Sequence, residues 1–387
     1  MRDLRQTLGL PYRTLASLTR REALSVASLG AIGAALPAAR SAAGDIARPV
    51  LVPADGKYLT VPLKRDVLRV TAVQSRIRAV DANNPRPQMK DNLAHMAEFI
   101  DDANGFPGLQ DLVCFHEQPI MGWSSWSRAD ALRVSIEVPG EETEALGSKA
   151  RQYNCFIAFA TFAKDAAWPG HLLSLGVLIG PDGKVAASHW KAHNGRGFRP
   201  NWDMFTTSIY DVLDRYKEMY GADAVLPLAR TEIGNISLTG PPMEPDIYRA
   251  LSIKGMELSL RTSSGGFATE DPMTTSLFNR IYTVIPNNSI SPSNPGFPEA
   301  TGAGGTVIYG PGGRVLAKAQ SMNEEFVTAT IPIAEFRKSH RIPEIPMKMV
   351  MDAYRQYVPR YRPNLLAEHI PDDYVDASKY FESHKSW

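Results

Sequence analysis

The chain has 387 residues, 44% of them apolar, and carries 42 basic side chains against 41 acidic ones. That is enough apolar material for one large or two ordinary domains with a proper core, which excludes disorder as the general state. The near-zero net charge, with no basic run interleaved with aromatics beyond the N-terminus, argues against nucleic acid as a partner.

The first forty residues read as an address. Arg2, Arg5, Arg13, Arg20 and Arg21 precede an uncharged stretch from Ala23 to Ala39, and small residues follow at Ser41, Ala42 and Ala43. This is the order of a charged region, an apolar region and a cleavage site. The paired arginines directly before the apolar region resemble a twin-arginine signal. A membrane anchor or a buried helix are the competing readings, but about 17 residues fall short of the roughly 20 a span requires, and Pro37 weakens the segment further. The expectation is a signal peptide over residues 1–43, cleaved near Ala43, with the twin-arginine export machinery as partner and a periplasmic or secreted bacterial protein as product. Residues 44–65 form an N-terminal extension.

Val67 to Val80 is β-branched and largely alternating, which predicts a strand; Met89 to Ala103 has apolar residues at helical spacing. Asp111 to Glu117 (DLVCFHE) predicts a buried strand, Glu141 to Tyr153 a helix, and Asn154 to Phe162 another buried strand. Leu172 to Ile179 and Val185 to Lys191 are apolar strands joined by Gly180-Pro181-Asp182-Gly183-Lys184, a hairpin turn by its Asp-Gly pair. From Gly195 to Leu226 there is no strand signal, only a predicted helix over Ser208 to Tyr220, either a flap over a pocket or a surface insertion. Asp246 to Lys254 and Asp271 to Arg280 predict helices, each followed by a strand at Glu257 to Arg261 and Ile281 to Ile285. The hairpin cassette returns about 130 residues after the first, as Thr306 to Tyr309, Gly310 to Arg314 and Val315 to Lys318. Two unrelated Gly-rich hairpins would also explain the return, but the matching element order points to two like halves, with two sheets face to face and helices outside. Past Phe336 the chain is rich in Pro, Arg and Tyr and reads as a helix with an extended tail.

Three segments carry a family resemblance. DLVCFHEQPIMGW (Asp111 to Trp123) resembles the "apolar run, Phe, Pro, Glu" signature of the nitrilase, or carbon-nitrogen hydrolase, superfamily, with His116 in place of the proline. GPDGKVAASHWKAHN (Gly180 to Asn194) resembles that family's hairpin and lysine strand, and PDIYRALSIKGMELSLR (Pro245 to Arg261) is similar to the "Lys-Gly-Ala-Glu-Leu" segment of its aliphatic-amidase branch. FNRIYTVIPNN and GTVIYGPGGRVLAKA are similar to the next strand and hairpin, so the resemblance spans roughly Val67 to Ile333. It implies a four-layer α-β-β-α sandwich, an α/β fold, with a carbon-nitrogen hydrolase domain over residues 66–336 and a C-terminal helix and tail over 337–387. It further implies Glu117 as general base, Lys191 as oxyanion stabiliser, a small amide or nitrile as substrate or ligand, a homo-oligomer and no cofactor.

The family's nucleophilic cysteine has no counterpart. Counting back from Pro245 places its slot on Thr239; counting forward from Ile233-Gly234 places it on Pro241, because this stretch is about two residues short of the family pattern. Many members also carry a glutamate shortly after the lysine, where AHNGRGF has none. The implied reaction needs a nucleophile, a carboxylate to take its proton and a cation for the developing oxyanion. On residue type alone, Glu117 and Lys191 would equally be a structural ion pair between strand ends. Thr239 is a weak acid hindered at Cβ. Cys114 lies three residues from Glu117, which alternation puts on opposite faces, so both Cys114 and Cys155 read as core thiols. Ser263 and Ser264, in the loop RTSSGG, are further hydroxyls near a pocket mouth. His116, His189 and His193 raise a metal reading, although no CxxC or HExxH spacing is present and no metal is expected. Trp123, Trp126, Trp190 and Trp202 either line a cleft or pack. The sequence thus leaves two functions open, a carbon-nitrogen hydrolase and a catalytically inactive binding or assembly protein of the same fold.

Overall fold

The computed structural model describes residues 53, 55–106, 108–195, 206–241, 243–291 and 303–387; the expected signal peptide and Trp202 lie outside them. Thirteen strands among these form two sheets. The first runs β13-β1-β2-β3-β4-β5, with the two-residue β6 (Thr206–Thr207) beside β4; the second runs β12-β11-β10-β9-β8-β7. In the first, β1 (Leu68–Gln74), β2 (Leu112–Glu117) and β3 (Phe156–Ala163) are mutually parallel, and β4 (Leu172–Ile179) and β5 (Val185–Trp190) continue antiparallel. The second sheet repeats the scheme: β8 (Gly234–Ser237), β9 (Leu258–Leu260) and β10 (Tyr282–Ile285) are parallel, and β11 (Val307–Tyr309) and β12 (Val315–Lys318) antiparallel.

The two hairpins use one turn. The amide of Gly180 donates to Lys184 O at 2.8 Å and that of Gly183 to Gly180 O at 2.8 Å; Gly310 and Gly313 make the same pair of bonds, to Arg314 O and Gly310 O, at 2.8 and 3.0 Å. Gly183 (φ 77°) and Gly313 (φ 76°) both occupy the left-handed region, which only glycine enters without strain. The recurrence read from the sequence is therefore structural, and the halves are alike.

Alternation assigns the two cores. Leu68, Val70, Leu112, Cys114 and Phe156 of the first sheet meet Ile236, Leu258, Leu260 and Val284 of the second between the sheets. The opposite face of the first sheet, Val113, Phe115, Ile157, Phe159 and Val177, packs on helix α1 (Pro85–Gly105) through Met89, Met96 and Ile100 and on α3 (Glu141–Tyr153) through Leu146 and Ala150. Helix α2 (Arg128–Val134) adds Ala131 and Val134 to that layer. On the second sheet α5 (Pro245–Ile253) buries Tyr248 and Leu251, and α6 (Glu270–Asn279) follows it. The result is the four-layer α-β-β-α sandwich, a mixed α/β fold. The sheets approach closely at Gly176 of β4, where a Cβ would lie 2.3 Å from Leu238 O, so no side chain fits there without parting the layers at the residue before Thr239.

Several elements differ from expectation. Helix α1 starts four residues early because Pro85 suits the first helical turn, where its missing N–H costs nothing. The helix expected over Ser208 to Tyr220 is a short 3₁₀ turn, Ile209–Val212, running into α4 (Leu213–Tyr220), since Asp211 Oδ2 accepts from both Ser208 N and Ser208 Oγ and tightens the entry. The hairpin strands β7 (Ala229–Thr231) and β8, and β13 (Glu325–Ile331), which pairs antiparallel with all of β1, carry no strong sequence signal. Beyond α7 (Ile333–Ser339), the C-terminal segment holds α8 (Met347–Gln356), α9 (Leu365–Glu368) and α10 (Tyr374–Ser383).

Candidate active site

Glu117 ends β2 through a bulge. Cys114 pairs with Ala158 but Glu117 with Ala160, so three residues of β2 oppose two of β3. The extra residue turns Glu117 to the side on which Phe156 and Ala158 face the other sheet, whereas strict alternation would have turned it outwards. This corrects the opposite-faces argument about Cys114, which stays in the inter-sheet core for a different reason: it is fully buried there. Next to it Gln118 sits at φ 63°, a strained conformation for a residue with a side chain, held by its amide donating to Ala160 O (2.9 Å) and its Oε1 accepting from Phe162 N (2.8 Å). His116 locks the other side, with Nδ1 donating to Glu117 O at 2.7 Å and Nε2 accepting from Ser75 Oγ at 2.9 Å.

Lys191 follows β5, and its backbone is tied on both sides, N–H to Ser174 O at 2.9 Å and C=O from Ile209 N at 3.1 Å. Its Nζ lies 3.9 Å from Glu117 Oε1, with only 11% and 18% of the two side chains exposed. The other carboxylate oxygen, Glu117 Oε2, accepts from Ser264 Oγ at 2.8 Å. Acid, ammonium and hydroxyl, from three distant parts of the chain, thus meet at the strand ends.

Thr239 stands next to this group: its Oγ1 accepts the Ala192 amide, one residue past Lys191, at 3.1 Å, and the residue is 3% exposed. Pro241, the other candidate for the cysteine slot, offers only its carbonyl, which accepts from Tyr248 Oη at 2.8 Å. Neither cysteine replaces the missing thiol. Burial raises the thiol of Cys114 far above its usual range and that of Cys155 to about 12, so neither ionises near neutrality.

The loop that carries Ser264 is clamped by residues that reading the sequence missed. Gly265 N donates to Asn288 Oδ1 at 2.6 Å and Asn287 Nδ2 donates to Gly265 O at 2.7 Å, both amides being buried. Ser263 N donates to Pro286 O at 3.0 Å, and Ser263 O accepts from Glu117 N at 3.2 Å. The signal was present, as two adjacent asparagines one proline past the apolar run of β10, where polar residues enter a core only with partners.

The metal reading finds no support: His193 Nδ1 is spent on Glu244 Oε1 at 2.6 Å, His116 on Ser75 and the Glu117 carbonyl, and among the described residues no three His, Cys, Asp or Glu side chains gather. Of the tryptophans, Trp190 packs edge-on against Trp168 (5.1 Å) and Tyr216 (5.3 Å), and Trp126 is buried in the helix-side core.

The family model for carbon-nitrogen hydrolase matches residues 69–341, more than half of the chain and the two-sheet unit from the second residue of β1 onwards. The chain belongs to the carbon-nitrogen hydrolase family. Solved carbon-nitrogen hydrolases share its fold. An amidase from Nesterenkonia sp. AN1, solved as a double mutant in complex with acrylamide, superposes with a TM-score of 0.56 at 17% identity, covering 77% of this chain and 99% of its own. A carbon-nitrogen hydrolase from Helicobacter pylori G27 gives 0.56 at 19%, covering 76% and 95%. Another form of the Nesterenkonia amidase, at 0.55 and 17% over 80% and 100%, has the acetamide moiety of fluoroacetamide added covalently at its active site cysteine. No curated sequence matches this chain. The family membership supports a hydrolase-like role, and the solved amidases share the fold.

The protein also buries four of its histidines in the neutral form. Burial lowers His116, His171, His189 and His340 from the ordinary 6.5 to about 4 each. Between these values the unfolded chain binds protons that the folded one refuses, so stability is whole above about 6.5 and falls as pH drops towards 4. The two fully buried ones, His116 and His189, contribute at most about 1.4 kcal/mol each per pH unit inside that window, and His171 and His340 less because solvent screens them. The urea midpoint should therefore fall steeply between pH 6.5 and 4, and His189→Asn should flatten that slope. A midpoint independent of pH would mean that the folded protein takes up these protons as readily as the unfolded chain.

Proposed function

We propose that this protein hydrolyses non-peptide carbon-nitrogen bonds of small amides or nitriles, with Glu117 as general base and Lys191 as the cation that holds the developing oxyanion. The observation that carries this reading is the 3.9 Å approach of Lys191 Nζ to Glu117 Oε1 while the second carboxylate oxygen holds a hydroxyl. A carboxylate beside a hydroxyl takes its proton; an ammonium on the far side of the carboxylate stabilises negative charge on a substrate oxygen. The resemblance puts Thr239 in the nucleophile slot, and its contact with Ala192 keeps it next to Lys191. A cavity of about 900 Å³ lies beside this group at Ala192 and His193, lined further by Tyr210, Tyr361 and Trp387 and not by Glu117, Lys191, Thr239 or Ser264 themselves, so it is a neighbouring space and does not carry the reading.

A screen of short amides, nitriles and carbamoyl compounds with wild type, Glu117→Gln and Lys191→Ala tests the reading; equal rates in all three remove these residues from the mechanism. The buried Thr239 and the lack of an ionisable thiol favour a second reading, a binding protein, for which saturable ligand binding without turnover is the signature.

The paired Arg20-Arg21 before an uncharged, Ala-rich stretch supports export in the folded state by the twin-arginine machinery. Arg20→Lys with Arg21→Lys should retain the full-length protein in the cytoplasmic fraction, whereas unchanged fractionation would remove the export reading.

A further inference from the structure

We infer that the hydroxyl of Ser264, rather than that of Thr239, is the nucleophile that Glu117 activates, an inference that rests on the reading of Glu117 and Lys191 above. Three observations select it. The first is direction: Ser264 Oγ donates to Glu117 Oε2 at 2.8 Å, so its proton already points at the base, while the same carboxylate turns Oε1 to Lys191. The second is access. Ser264 is partly exposed, whereas Thr239 is sealed in the core and spends a lone pair of its oxygen on the Ala192 amide. The third is preorganisation. Both neighbours of Ser264 are fixed by backbone bonds, Ser263 to Pro286 O and to the amide of Glu117 itself, and Gly265 to Asn287 and Asn288. Gly265 adopts φ 82°, which lets the chain turn sharply just after the hydroxyl. Base and hydroxyl are thereby held in one frame, which is where positioning contributes most to rate.

In the step this geometry describes, the Ser264 proton passes to Glu117 as Oγ bonds to the amide carbon, and the carbonyl oxygen becomes an oxyanion held by Lys191. The carbon-nitrogen bond then breaks, Glu117 returns the proton to the departing nitrogen, and an ester remains on Ser264. Water, losing its proton to Glu117, adds to that ester. The acid is released and Oγ recovers the proton.

A serine that merely anchored the carboxylate would make the same hydrogen bond, so the test reads covalency. The full chain is treated with p-nitrophenyl acetate and mapped by peptide mass spectrometry, beside the amide screen. Acetyl on Ser264 is expected in wild type and absent in Glu117→Gln. Ser264→Ala should lose amide turnover by roughly 10³-fold or more. Ser264→Cys should keep part of the activity and become sensitive to iodoacetamide, which also serves if the alanine variant does not fold. Acetyl on Thr239, or amide turnover retained in Ser264→Ala, overturns the assignment to Ser264 and leaves Glu117 and Lys191 in place. Glu117-dependent acetyl on Ser264 with no amide or nitrile turned over overturns the substrate reading and leaves the nucleophile. Neither acetylation nor turnover overturns both.

Discussion

Replacing Glu117 by Gln is expected to lower kcat/KM on any amide or nitrile substrate by about 10²- to 10⁴-fold, the usual range for a lost general base. Glutamine keeps the volume of the side chain and an oxygen for Ser264, but it takes up no proton, so the variant separates the chemistry from the packing. The surrounding frame does not depend on the charge, because the backbone of Glu117 is held by Ser263 O and His116. Circular dichroism and the melting profile should therefore remain those of a folded protein while steady-state rates collapse. Lys191→Ala is expected to cost about 10²- to 10³-fold, as the removal of one oxyanion contact does. The double variant should be little worse than the more damaged single one, since residues that act as a unit are not additive. Rates that fall by the product of the two effects would mean that the groups act in separate steps or separate sites.

The largest loss of stability should come from Arg337→Ala, well away from the chemistry. Glu257, the residue before β9, is 0% exposed, and its carboxylate is satisfied on every side. Arg337 donates Nε to Oε1 at 2.7 Å and Nη2 to Oε2 at 2.8 Å, Tyr58 Oη donates to Oε1 at 2.9 Å, and the Asn235 amide to Oε2 at 2.7 Å. Burial and the Glu257 charge push the Tyr58 phenol far up, so it remains a donor. A bidentate guanidinium on a buried carboxylate is worth little against an apolar pair, but removing one partner strands the other. The expected cost is about 3–5 kcal/mol, read as a lower urea midpoint. Arg362→Ala is the control, because its pair with Glu368 is half exposed (50% and 52%) and solvent screens such pairs almost completely. If the two variants melted alike, Glu257 would have to be neutral or reached by water. The effect bears on the site, because β9 leads into the loop of Ser264.

How much could be read from residues alone varies along the chain with the length and regularity of each pattern. Strands such as Phe156–Ala163 and Leu172–Ile179 are long, apolar and bounded by turns, so their place was plain, and so was the paired hairpin logic of Gly180 to Lys184 and Gly310 to Arg314. Glu117 and Lys191 were singled out by the resemblance of their segments to the carbon-nitrogen hydrolase family, since residue type alone left a structural ion pair equally open. Short or half-polar elements were not legible: β7 is three residues long, and β13 is recognised only by its seven partners on β1. Asn287 and Asn288 were passed over because their role lies in bonds to Gly265, more than twenty residues earlier.

The sequence by itself carried the two-sheet sandwich through the returning hairpin cassette, the matching order of its elements and the family resemblance of its segments, because alternation and turn chemistry are local rules. It also determined which acid and which ammonium end their strands. Which hydroxyl meets the acid was decided only in three dimensions. One extra residue in β2 rotates Glu117 towards the second sheet, and a side-chain period of two makes that face invisible to any count along the chain. Ser264 reaches Glu117 and Thr239 does not replace it there because their loops are set by contacts between elements remote in sequence, where packing distance rather than residue order selects the partner.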